Sequence, residues 1–155
     1  MNLGFTGTQR GLKPKQRATL RYLFIELQLH ILHHGDCIGA DEAAHRVAIG
    51  GGVRVIVHPP TNPKLRAFCQ GGEILPEKPY LERNRDIVDA GGGGLIACPS
   101  TFTETLRSGT WTTVRYARKR QDRRIWLIFP DGTFKPEFPL VDKTAQNLDT
   151  RSLLG

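Results

Sequence analysis

Acidic residues are scarce in this 155-residue chain: 15 Asp+Glu stand against 22 Lys+Arg, leaving a formal net charge of +7. That excess points to phosphorylated ligands or nucleic acid as partners, without choosing between them. Cysteine is scarce too. Cys37, Cys69 and Cys98 are odd in number, far apart and free of any CxxC pair, which indicates neither a disulfide framework nor a zinc site. A reducing cytosol is the compartment such usage predicts. No charged-then-apolar leader opens the chain and no apolar run approaches the length of a membrane span, so a soluble, cytoplasmic protein without membrane contact is expected. What remains, 39% apolar residues over this length, suffices for one core and one domain.

The apolar pattern alternates between strand and helix. Asn2-Leu-Gly-Phe-Thr6 reads as a strand running into the glycine-bearing loop Gly7–Gly11, and Pro14 stands where a helix can start. Leu20, Leu23, Phe24, Leu27 and Ile31 recur at helical spacing, which predicts a helix from about 14 to about 29. Ile31–Gly35 reads as a second strand, Gly39–Ala48 as a helix stopped by Gly50-Gly-Gly52, and β-branched Val53–Val57 as a third strand. Residues 58–79 carry many Pro and Gly and read as a long loop of the kind that often holds function. A helix over Tyr80–Ala90, the strand Gly94–Cys98, a helix from Ser108 to about Arg120 and the strand Arg124–Phe129 complete the series.

Such alternation predicts a Rossmann-like three-layer α/β/α domain with a mainly parallel sheet of five or more strands. Residues 1–130 form that domain in this reading. Residues 131–155 are a C-terminal extension and not a separate domain: Pro136 and Pro139 suggest an extended passage, and Leu148–Leu154 could pack on the core or a partner. Ligands bind such sheets at the carboxyl ends of the strands, here the loops 7–11, 35–40, 58–72 and 99–108.

The most informative stretch is Arg107-Ser-Gly-Thr-Trp-Thr-Thr-Val-Arg-Tyr-Ala117, a small-residue turn that opens a helix after an apolar strand. Unpaired backbone N–H groups at such a start suit an anion, most often phosphate. Together with Gly35-Asp-Cys-Ile-Gly-Ala-Asp-Glu-Ala-Ala-His45 and Arg83-Asn-Arg85, this stretch resembles the SLOG superfamily, which includes DNA-processing protein A and the LONELY GUY phosphoribohydrolases. The resemblance covers roughly residues 1–130. It implies a nucleotide site at the sheet edge, an arginine of Arg83 or Arg85 on the phosphate side, and a homo-oligomer, a dimer paired through helices beside the cleft. LONELY GUY enzymes carry a catalytic Glu three residues after the G-T of their last motif. Thr113 stands at that position here, and a threonine cannot act as a carboxylate acid or base.

The expected function is therefore binding of a phosphorylated nucleotide or nucleotide-derived ligand, as a sensor or sequestering protein. A nucleotide N-glycosidase that uses Asp36 in place of the Glu is one alternative, and a single-stranded DNA-binding protein is the other. Neither cofactor nor metal is expected. The candidate ligand residues are Gly7, Thr8, Gln9, Arg10, Gly35, Asp36, Gly39, His58, Arg83, Asn84, Arg85, Arg107, Ser108, Gly109, Thr110 and Thr113. Several have plainer readings. Ser108–Thr110 could serve only as a helix cap, Arg83–Arg85 as surface ion pairs with Glu82 or Asp86, and Gly7–Arg10 as a turn with a solvated Arg.

Asp36 is preferred over Asp41 for ribose or acid–base work, Asp41 being read as a helix-capping residue. His33 and His34, adjacent in a strand, should point to opposite faces, and with His45 they make a weak metal set. His58 can face the cleft. Trp111 is read as core or as a base platform. Arg115, Arg118, Lys119, Arg120, Arg123 and Arg124 form the strongest basic cluster, read as a solvated helix end or a nucleic-acid surface without aromatics between its cations.

Overall fold

A computed structural model describes residues 1–139. The elements run β1 (Asn2–Gly7), α1 (Pro14–Glu26), β2 (Ile31–His34), α2 (Ala40–Gly50), β3 (Arg54–Val57), β4 (Glu73–Ile74), α3 (Tyr80–Ala90), β5 (Leu95–Cys98), α4 (Gly109–Arg120), β6 (Ile125–Ile128) and β7 (Phe134–Glu137). Proline at the first turn sets the start of α1, and Leu20, Leu23 and Phe24 form its buried stripe. The helix ends earlier than its apolar spacing predicts because Gln28 turns left-handed (φ +50°), which frees Ile31 to open β2.

The strands form one sheet in the order β4-β3-β2-β1-β5-β6-β7. All neighbours are parallel except β6 and β7. Alternation along the central strands divides the core in two. Ile96, Cys98, Trp126 and Ile128 join Leu3, Phe5 and Leu32 under α1 and α2, whereas Leu95, Ala97, Ile125 and Leu127 pack with Trp111, Val114 and Ala117 of α4. The three-layer α/β/α expectation is met. Strand order reverses between β1 and β5, which opens a crevice at their carboxyl ends.

Two stretches carry more order than their composition suggests. The 58–79 loop contains a one-turn 3-10 helix at Pro63–Leu65 and the two-residue strand β4. Residues 134–137, placed by the sequence in an extended tail, pair antiparallel with β6 as the sheet's last strand. The packing expected of residues 148–154 lies outside the described residues. No helix among the described residues is long and apolar enough to cross a membrane.

Gln16 ties the helical layer to the sheet's carboxyl edge. It is 2% exposed, and its Nε2 donates to the Pro99 and Ile128 carbonyls at 3.1 and 3.2 Å. Gln16→Leu keeps the volume but leaves two buried acceptors unpaired, and should lower unfolding stability by about 2–4 kcal/mol in urea titration.

Candidate functional site

The crevice closes into a cavity of about 30 Å³ at the carboxyl ends of β1 and β2. Gly7, Gln9, Gly35, Cys37 and Asp41 form one wall; Tyr80, Arg83 and Asn84 of α3 face Thr110 and Thr113 of α4 across it. The approach of α2 demands glycine at 7, where a Cβ would run into the Cβ of Ala40. Thr8 pins the loop. Its N–H donates to the Cys98 carbonyl at 3.0 Å, and its own carbonyl accepts from the Ala40 N–H at 2.9 Å. Gly39, at φ +92°, lies against the Thr8 and Gln9 backbone and supports the same loop.

Arg83 is 2% exposed. Its Nη1 donates to the Gly35 carbonyl and, at 3.4 Å, to the His58 carbonyl, so α3 is fastened to the ends of β2 and β3. The Tyr80 ring lies 5.0 Å from the guanidinium carbon, and Nε is buried with no partner among the described residues. Nη2 also reaches Cys37 Sγ at 3.7 Å, so this cation is an internal strut. The surface-pair reading of Arg83 fails. Arg85 is exposed beside Tyr116, outside the cavity, and Arg107 is likewise exposed on the loop before α4.

The two aspartates exchange the parts the sequence suggests. Asp36, fully buried at φ +58°, accepts from Arg66 Nε at 2.7 Å and from the Cys69 N–H at 2.9 Å. Burial pushes its pKa up, but the Cys69 and Arg66 bonds outweigh that and hold it below the ordinary value. Its carboxylate anchors the 66–69 loop and is not among the residues that line the cavity. Asp41 lines the cavity instead. Gly39 is the residue that precedes α2, while the Asp41 carboxylate turns back to accept the Gly35 and Cys37 N–H groups, both at 3.2 Å. Burial raises its pKa to about 6 against the opposing pull of Arg83.

At α4 the cap and the site coexist. Ser108 Oγ accepts the Trp111 N–H at 3.2 Å, and the Gly109 and Thr110 N–H groups, first in the helix, have no carbonyl one turn back. Thr113 donates its hydroxyl to the Gly109 carbonyl at 3.0 Å. Tyr80 covers this turn: a Cβ at Gly109 would run into its hydroxyl. Trp111 is core, 3% exposed, with Nε1 donating to Thr101 at 3.0 Å. Sequence reasoning passed over Tyr80 and Cys37 and assigned Asp41 to capping. The signal for Tyr80 was an aromatic one turn before Arg83-Asn-Arg85.

The histidines pair across the sheet as their alternation requires. His33 meets His58 at 2.9 Å on the α3 side, and His34 meets His45 at 2.9 Å on the α2 side. His58 lines a separate, larger cavity of about 580 Å³ along α3, with Lys78, Arg83 and Asp86. His34, His45 and Cys69 present ligand atoms within 4.8 Å of one another. Hydrogen bonds already occupy the two rings. The Asp36 N–H donates to His34 Nδ1, so His34 Nε2–H donates to His45 Nδ1 and His45 Nε2–H to the Gln70 carbonyl. Four of the six cations in the basic cluster have carboxylate partners: Arg115 pairs with Glu104 (3.0 Å), Arg118 with Glu137 (2.8 Å), Arg120 with Asp89 (2.7 Å) and Arg123 with Asp122 (2.9 Å).

These burials set a pH dependence. Asp41, at about 6 against an ordinary 3.8, binds its proton more tightly in the folded chain, so its contribution to stability falls as pH rises from about 4 to about 6. His34 and His58, lowered by burial to about 3 and about 4 from 6.5, act oppositely, and stability is lost as pH falls below 6.5. Two groups outweigh one. The urea midpoint should rise from pH 4 to 6.5, and Asp41→Asn should steepen that rise.

No protein-family model and no curated protein matches the chain. Among solved structures, the chain is similar to the molybdenum cofactor binding protein of the phototrophic bacterium Rippkaea orientalis, with a TM-score of 0.63 and 21% identity, covering 97% of this chain and 85% of that one. It is also similar to DNA processing protein A of Helicobacter pylori, described for its single-stranded DNA binding mode, with a TM-score of 0.59 and 20% identity, covering 97% of this chain and 72% of that one. The likeness shows a shared Rossmann-like α/β/α fold.

Proposed function

We propose that the protein binds a phosphorylated nucleotide or nucleotide-derived ligand at the 30 Å³ cavity, as a sensor or sequestering protein. The observation that carries this reading is Arg83: a buried guanidinium with an unpaired Nε, beside a helix start whose Gly109 and Thr110 N–H groups lack intrahelical partners. An oxyanion suits both the guanidinium and the helix start, and Arg83 and Thr110 line the same cavity. The closed cavity holds about one water and no phosphate, so entry requires Tyr80, 43% exposed, to swing off Gly109. The fold neighbours lend general support, one binding a molybdenum cofactor and the other single-stranded DNA.

Asp41 favours a second reading, hydrolysis of a nucleotide bond. A carboxylate brought to about 6 on the cavity wall suits proton transfer near neutral pH, the task once assigned to Asp36.

Calorimetry with nucleoside monophosphates and the matching nucleosides tests the site. Binding should require the phosphate, and Gly109→Val should weaken it at least tenfold with little change in melting temperature, because the added side chain displaces only Tyr80. Equal affinity for nucleoside and nucleotide would overturn the reading. Affinity should fall as pH rises through about 6, where Asp41 ionises beside the anion, and Asp41→Asn should flatten that profile. Release of free base, abolished in Asp41→Asn, would select the hydrolase.

A further inference from the structure

The carboxyl edge of the sheet exposes apolar side chains. Because β1 to β6 pair in parallel, the segments that follow these strands leave the sheet on one side. Six of the large hydrophobic residues exposed among the described residues stand there: Ile38, Leu65, Phe68, Leu81, Phe102 and Leu106. They adjoin one another across the loops. The Ile38 N–H donates to the Leu65 carbonyl at 2.9 Å, and Arg115, which lines the α3–α4 groove with Leu81, donates to the Leu106 carbonyl at 3.1 Å.

These positions are held, not slack. Arg115 also binds the Thr105 carbonyl (3.2 Å) and Glu104 (3.0 Å), so the loop is pinned while Leu106 stays 87% exposed. Phe68 sits at φ +55°, a strained conformation for a bulky residue, and meets Arg66 at 4.5 Å yet stays 53% exposed. Folding gains little from either placement. Exposed cations stand among them: Arg10 in the loop after β1, Lys64 before Leu65 and Arg107 after Leu106, none with an ion pair among the described residues. The acids of the same loops are already taken, Asp36 and Glu77 by Arg66 and Glu104 by Arg115.

We infer that this edge docks on an anionic lipid surface, with Leu106 and Phe68 entering the interface and the cations facing the headgroups. A second copy would bring the same cations against themselves. Nucleic acid would meet the charge, but Ile38, Leu65, Leu81 and Leu106 offer no ring for a base to stack on. Hydrocarbon beneath anionic headgroups meets both features. Such attachment needs no spanning segment, whose lack was the ground for expecting no membrane contact. The edge adjoins the proposed cavity, and lipid docking holds whatever that cavity binds.

Flotation of the full chain with vesicles of phosphatidylglycerol and phosphatidylcholine in equal parts tests the docking, with pure phosphatidylcholine vesicles as comparison. The mixed vesicles should carry the protein at least tenfold better. Leu106→Ser with Phe68→Asn should cut that partitioning at least tenfold, and the melting temperature should hold or rise, since asparagine tolerates the left-handed conformation. Lys64→Gln with Arg107→Gln should lower it roughly tenfold at low salt. Ile25→Ser with Ile49→Ser, exposed near the ends of α1 and α2 on the opposite edge, should leave it unchanged. Equal losses in that control would reduce the effect to general apolar exposure and overturn the docking edge. So would a chain that floats with neither vesicle, whether or not it binds an oligonucleotide, equal flotation with both, or a dimer that Leu106→Ser dissociates.

Discussion

The candidate site is organised around one buried positive charge. Removing a guanidinium from water costs several kcal/mol unless its N–H groups find acceptors, and Arg83 finds them in the carbonyls that end β2 and β3. The consequence is positional. The start of α3 cannot shift without breaking those bonds, so Tyr80, one turn before Arg83, and Asn84, the residue after it, are held over the crevice where strand order reverses. Asp41 is the counterweight. It makes no close ion pair with Arg83, yet the arginine's field opposes the burial that raises its pKa. The cavity thus holds a fixed cation and a carboxylate whose charge changes near neutrality.

The fold was legible because its strongest signals were local. Pro14, the Gly50-Gly-Gly52 stop and the β-branched run before His58 each mark an element boundary through backbone chemistry alone, and α3 spans the Tyr80–Ala90 stretch expected for it. What escaped was non-local. The two-residue β4 owes its existence to pairing with Ile56 and Val57, not to its own propensity, and β7 carries a proline and reads as an extended tail until its partner is known.

The site divided along the same line. Glycines and the Ser108 cap were readable because backbone geometry demands them. The aspartates were not: which of Asp36 and Asp41 faces the cavity depends on Arg66, 30 residues away, reaching back to take the first. Counting charge along the sequence singled out 115–124, whereas three-dimensional pairing shows that Glu104, Glu137 and Asp89, distant in sequence, take Arg115, Arg118 and Arg120 of that cluster.

The margins of the sheet carry one more consequence. Starting from the Phe129 N–H to Thr133 carbonyl bond, antiparallel alternation puts Pro136 opposite Trp126 at a pair whose backbone groups point outward, so the donor that proline lacks is missing from the outer rim. At the other margin β4 exposes only two residues. Among the described residues, neither rim offers a long, fully paired-out edge to another strand, which works against sheet-to-sheet aggregation.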